Sequence, residues 1–283
     1  MNFEAFLRDR ETNHWPVHGV SVYTDGQLLH RCGDTTGKYP IYSATKSILS
    51  CAVGIAWDEG KIDLKRSALD YIPERFTAPM SRAQRDIYRR ITLHRLMTMS
   101  VVGYPFRPEG ESWLRFSLDF PVPDPDEVSF DYSNIPAYLV SVALSEAIGE
   151  DAWSFIERRI LAPLDIAGVE YGRCPDGYFY GASHMTLSVD DLSRVGLMLA
   201  GGGSFQGSRI VSEEYVKLAS SILQMNREGG YGYFFWKHKD GFFISGKWGQ
   251  RCYILPGRVI TLLSDAQDGS DEIIASLERW GMI

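Results

Sequence analysis

The sequence predicts an α+β fold in which one antiparallel sheet is built from both ends of the chain and a mostly helical stretch is inserted between them. Three observations carry this. Two strand-like runs, Val17 to Thr24 and Gln27 to Cys32, lie near one end. Four more, Tyr231 to Lys237, Phe242 to Ser245, Arg251 to Leu255 and Val259 to Leu263, follow one another near the other. The residues from about 62 to 180 read mostly as helix and loop.

Each element has a local reason. A short amphipathic helix is expected around Phe3 to Arg10, and Asp25-Gly26 supplies the positive φ angles of a tight hairpin turn. Thr45 to Glu59 reads as a helix closed by Gly60. Helices fit Thr92 to Thr98, Ile135 to Ala147 and Asp151 to Leu161, the last stopped by Pro163. Between Gly103 and Asp131 the chain is rich in Pro, Phe and Trp and reads as a long loop forming a site rim. Ser188 is expected to cap a helix ending at Ala200 before three glycines, and Ser212 another through about Ser221. Lys239-Asp240-Gly241 and Pro256-Gly257 are the turns between late strands, and a helix spans about Asp271 to Trp280.

Composition narrows the function. With 283 residues, 45% hydrophobic and 23% charged, the chain is an ordinary folded protein, neither disordered nor fibrous. Its 29 Lys and Arg against 36 Asp and Glu give a formal charge of −7, which argues against a nucleic-acid surface. The best apolar run, Cys51 to Trp57, is far shorter than the ~20 residues that span a bilayer. The opening residues lack an export signal, so a soluble, cytoplasmic protein without membrane partners is expected. Cys32, Cys51, Cys174 and Cys252 are scattered and read as free thiols, and the six histidines show no helical metal pairing. Gly33 to Lys38 imitates a phosphate-binding loop but is one residue short and lacks the Ser or Thr after lysine. No cofactor or metal is implied.

Three segments carry chemistry. Ser43-Ala44-Thr45-Lys46 opens a helix, so Lys46 falls on the same face as Ser43 with its amine near the hydroxyl. That helix is apolar around most of its circumference, and burial lowers an amine pKa until it can accept a proton from serine. Tyr132-Ser133-Asn134 follows the rim loop. Tyr132, near two ammonium groups, is expected to shift toward phenolate and relay protons, while Asn134 holds Lys46 and a substrate carbonyl. In Gly246-Lys247-Trp248-Gly249-Gln250, Lys247 is the second cation and Gly249 lets substrate lie along a strand edge. The N–H groups of Gln250 and Ser43 would form an oxyanion hole. Taken singly, these segments also fit a solvated lysine at a helix start, an N-cap asparagine after a core tyrosine, and a hairpin turn. Gly181-Ala182-Ser183-His184-Met185 approaches a nucleophile elbow but lacks its final glycine.

The ordered set, S-x-x-K, then Y-x-N, then K-x-G, resembles the signature of the serine β-lactamase and penicillin-binding protein superfamily. The tyrosine points to the branch of class C β-lactamases, D-stereospecific peptidases and related esterases. The resemblance extends to Gly60 to Leu64, Tyr71-Ile72-Pro73, Ile91 to Met97, Ala162 to Asp165, Val189 to Gly196 and Tyr231 to Trp236. It implies an antiparallel sheet flanked by helices, made of 1–61 and 181–283, plus a mostly helical subdomain, 62–180, with the site at their interface. It also implies that Ser43 is the acylated nucleophile, Lys46 its base, Tyr132 the proton relay and Lys247 the electrostatic anchor, with Asn134, Trp248, Gly249 and Gln250 binding substrate. The chain departs from the pattern at Met99 to Gly103, where many members have His-Thr-Ser-Gly, and at Trp248, where a hydroxyl residue would touch a carboxylate. The expected activity is hydrolysis of a small ester, amide or β-lactam through an acyl-enzyme. A ligand-binding or regulatory module on the same scaffold, acylated slowly or not at all, is the alternative. The sequence leaves the oligomeric state open.

Overall fold

The computed structural model describes residues 1–283. Its central sheet has six strands, β1 (Val17–Thr24), β2 (Gln27–Gly33), β3 (Trp236–His238), β4 (Gly241–Gly246), β5 (Gln250–Leu255) and β6 (Arg258–Ser264). The spatial order is β2-β1-β6-β5-β4-β3, and the paired strands are antiparallel. Strands from both ends of the chain therefore meet in mid-sheet, with Val20 opposite Leu262. Five helices have ten residues or more: α1 (Phe3–Thr12), α2 (Thr45–Asp58), α3 (Ile135–Ile148), α4 (Val189–Ala200) and α5 (Ser270–Arg279).

The period-two alternation of β1 decides which helix covers which face. Val20 and Val22 join Ile260 and Leu262 in a core completed by Phe6 of α1 and Ile273 and Leu277 of α5. Ser21 points the other way, its hydroxyl 2.7 Å from that of Ser193 on α4, which in turn lies 2.9 Å from Thr261 Oγ1. Ser188 and Asp191 cap α4 reciprocally, each side chain accepting from the other's backbone N–H. The Asp25-Gly26 turn is left-handed at both residues, φ 49° and 79°, as its sequence requires. No helix is long and apolar enough to cross a membrane.

Helices α2 and α3 lie deep in the larger core. All residues from Thr45 to Ala56 are buried, as are those from Ile135 to Ser145. An all-round apolar helix has nowhere else to go. Ser43 and Asn134 therefore stand just before the N-terminal ends of two buried helices.

Two expectations need correction. Tyr231 to Lys237 does not form one strand; only Trp236–His238 joins the sheet. Tyr231, Tyr233, Phe234 and Phe235 are all buried rather than alternating, Phe234 adopts φ 62°, and the N–H groups of Tyr233 and Phe234 donate to Ala219 and Met97 instead of a neighbouring strand. The stretch from Gly103 to Asp131 is not structureless either, since Trp113–Asp119 is helical. Ser112 Oγ accepts from the N–H of Arg115, and Asp176, distant in sequence, accepts from Ser112 Oγ at 2.5 Å and the N–H of Leu114 at 2.9 Å. Tyr138 of α3 donates to the same carboxylate at 3.0 Å, so Asp176 ties the rim to a buried helix.

Candidate active site

A cavity of about 780 Å³ opens where the sheet's β4–β5 turn, the start of α2 and the start of α3 meet. Ser43, Tyr132, Asn134, Lys247, Trp248 and Gly249 all line it. The three segments singled out in the sequence converge on one cleft, and Phe106 to Gly110 with Trp113 supply the rim.

Ser43 is half-buried in a single 3₁₀ turn, Tyr42–Ala44, that runs into α2. Three residues on, Lys46 is 1% exposed, and its Nζ donates to Ser43 Oγ at 3.2 Å, Asn134 Oδ1 at 2.6 Å and Ala182 O at 2.8 Å. Burial pulls its pKa from 10.5 down to about 7. This triad suits both protonation states. The ammonium has three donors for three acceptors; the neutral amine donates to Asn134 and Ala182 and turns its lone pair toward the serine hydroxyl. Asn134 does not cap α3 with its side chain, because Ser133 Oγ takes the N–H of Ile135 instead. Its amide is thereby free to hold Lys46.

Tyr132 stands beside this pair, its ring centroid 5.0 Å from Lys46 Nζ and 5.7 Å from the Trp236 ring, which it stacks against. The expected shift toward phenolate is reversed. Burial among aromatics pushes the phenol up to about 12, outweighing a hydrogen bond with Ser43 and the charge of Arg251. Besides Lys46, the charge acting on Tyr132 is that of Arg251 of β5, a residue outside the three sequence segments. Arg251 lines the cavity, and its Nη1 donates to the carbonyls of Gly246 and Gln250 at 2.9 and 3.0 Å. Lys247 is exposed at the mouth, with its ammonium 4.5 Å from the Trp248 ring centroid.

Two left-handed aromatic residues shape the wall next to Ser43. Tyr42 has φ 47° and Trp248 φ 64°, and their rings meet edge to face at 4.9 Å. Such backbone conformations cost of order 1–3 kcal/mol each and persist only when neighbours over-determine them. Gly249 adopts φ 90°, and a Cβ there would lie 2.5 Å from Ser264 Oγ. The Gln250 side chain is fully buried, donating to Ser264 O and accepting from its N–H at 3.0 Å, which fixes the turn to β6. At Gly246 a Cβ would come within 2.2 Å of the Ile41 carbonyl oxygen, so only glycine lets β4 approach the strand of chain entering Ser43. Gly246→Ala is expected to destabilise the fold by about 1–3 kcal/mol, measured by urea unfolding, because backbone rather than a flexible side chain must yield.

The Gly181 to Met185 segment also contributes, although not as a nucleophile elbow. Ala182 supplies the carbonyl that holds Lys46, and Ser183 and His184 line the cavity. No sequence signal distinguishes a backbone acceptor of this kind. Across the cleft Tyr180 packs edge to face on Trp113 at 4.9 Å.

Known proteins match this architecture. Residues 5–275 fit the family model described as Beta-lactamase. The class C beta lactamase from Rhodobacter sphaeroides superposes with a TM-score of 0.75 at 14% identity, covering 100% of both chains. A provisionally named 6-aminohexanoate-dimer hydrolase from Bacillus anthracis gives a TM-score of 0.77 at 17% identity, over 97% of this chain and 80% of that one. The octameric penicillin-binding protein homologue from Pyrococcus abyssi gives 0.67 at 18% identity, over 99% and 77%. No curated protein sequence matches the chain. Identities this low establish the fold alone, but the family match spans nearly the whole chain and includes the segments carrying Ser43, Tyr132 and Lys247, so this chain belongs to the beta-lactamase family.

Proposed function

We propose that the protein is a serine hydrolase that cleaves a small ester, amide or β-lactam through an acyl-enzyme on Ser43. The observation that carries this reading is the buried Lys46 amine, tuned to about 7 and 3.2 Å from Ser43 Oγ. A base poised near the working pH is what general-base catalysis needs. Neutral Lys46 takes the hydroxyl proton as Ser43 Oγ attacks the carbonyl carbon. The N–H groups of Ser43 and Gln250 receive the developing oxyanion, Tyr132 passes a proton to the departing group, and water then releases the acyl chain with the same groups in reverse. Asn134 keeps Lys46 aimed at the serine. The cleft's two walls are then the sheet part, 1–61 with 181–283, and the helical part, 62–180.

With Tyr132 held as a phenol, its part is that of a proton conduit rather than a phenolate base. Arg251, Lys247 and Arg107 outnumber the single carboxylate lining the cavity, Glu109, which favours a substrate with an anionic group. Trp248 occupies the place of a small hydroxyl residue, which favours esters or linear amides over β-lactams.

The direct test is intact-mass measurement after incubation with a fluorophosphonate, with Ser43→Ala as control. One covalent adduct on the wild type and none on the variant is expected; no adduct on the wild type would overturn the reading. Hydrolysis of p-nitrophenyl esters, D-amino-acid amides and nitrocefin then ranks the bond types.

A further inference from the structure

The indole of Trp236 belongs to two cavities. One is the cleft above Ser43; the other, of about 570 Å³, is lined by Phe130, Met225, Asn226, Arg227, Glu228 and the same Trp236. Phe130 packs edge to face on Trp236 at 5.8 Å, and Tyr132 stacks on it from the catalytic side at 5.7 Å. Met225 is 62% exposed, a large apolar side chain left in water at the far wall. The segment that carries it is shaped by Asn226, whose Oδ1 accepts from the N–H groups of Glu228 and Gly230 at 2.9 Å each. Arg227 and Glu228 carry opposite formal charges at the exposed rim, Asn226 has a buried Nδ2 without a hydrogen-bond partner, and Met225, Phe130 and Trp236 make up the apolar half of the lining.

We infer that this second cavity is a subsite for an apolar arm on the substrate's leaving group, reached by crossing Trp236. The inference rests on the serine-hydrolase reading at one point only: it assigns the arm to the leaving group because Tyr132, which hands that group its proton, stands against Trp236. The apolar chemistry follows from Met225, Phe130 and Trp236, the half of the lining that includes the indole shared with the catalytic side. An alkyl or aryl chain on the alcohol or amine side would cover Met225 and stack along the indole edge. Each methylene removed from water there is worth about three- to fourfold in binding.

The test is an alcohol series, methyl to octyl acetate, followed by acid release. In the wild type kcat/KM is expected to rise about three- to fourfold for each methylene that reaches past Trp236. Met225→Asp, on an exposed loop outside the catalytic groups, should flatten that rise while leaving methyl acetate unchanged. A flat wild-type series, or a rise that survives Met225→Asp, would overturn the subsite. Should no ester be cleaved and no fluorophosphonate adduct form, the hydrolase reading falls, and calorimetric titration of Ser43→Ala with 1-butanol and 1-octanol still decides the subsite. Tighter octanol binding that Met225→Asp removes supports it; equal binding of both alcohols, or octanol binding that the variant retains, rejects it.

Discussion

Lys46→Met is expected to lower kcat/KM about 10³-fold while the protein stays folded, because a proton acceptor positioned on the nucleophile contributes roughly 10²- to 10⁴-fold. The wild-type profile should rise with pH through a midpoint near 7, where the buried amine loses its proton. The variant's residual activity should lack that limb. Stability gives an independent readout with a definite sign. The folded state depresses the lysine from 10.5 to about 7, so the unfolded chain binds the extra proton across that window. Wild-type stability relative to Lys46→Met therefore falls as pH drops from about 10.5 to about 7 and is constant below. Chemical denaturation at pH 6, 8 and 10 measures it. A gap that does not change with pH would mean that Lys46 is ordinary.

Tyr132→Phe is expected to cost roughly 10²- to 10⁴-fold on substrates whose departing group must be protonated, such as alkyl esters and amides. p-Nitrophenyl esters, which leave as a stable anion, should be affected far less. The acid limb near 7 should persist in the variant because it belongs to Lys46. The wild type should show no alkaline fall below about pH 10, since burial holds the phenol at about 12. Equal losses on both substrate classes would place Tyr132 outside leaving-group protonation.

Much of this was legible in the sequence, for identifiable reasons. Helix α2 shows as an apolar run closed by Gly60, and the strands β1, β2, β4, β5 and β6 as short apolar and β-branched runs set off by turn residues such as Asp25-Gly26 and Pro256-Gly257. The pairing of Ser43 with Lys46 follows from helical spacing alone. What escaped depends on distant partners. The Trp113–Asp119 helix is completed by Asp176, which no local pattern reveals. The segment before β3 looked like strand because aromatics fill it, yet its backbone hydrogen bonds go to Met97 and Ala219. The direction of the Tyr132 shift was misjudged because charge was weighed without burial, and burial wins when aromatics enclose the ring. Arg251 belongs to no local motif; it lies on β5 past the Gly246 to Gln250 turn, and only the folded turn brings its charge to Tyr132.

The mid-sheet pairing of β1 with β6 has a consequence for biogenesis. Residues 17–24 leave the ribosome early and can pair with β2 at once, but their other edge must wait, open, until residues 258–264 emerge. Ladder contacts this remote close slowly, and the waiting edge is a hazard for self-association. The wall beside Ser43, which depends on the same late strands, assembles only once they have emerged, so half-made chains should carry no reactive serine. Ribosome-stalled fragments ending before residue 240 should remain unlabelled by the fluorophosphonate, whereas released full-length chains react.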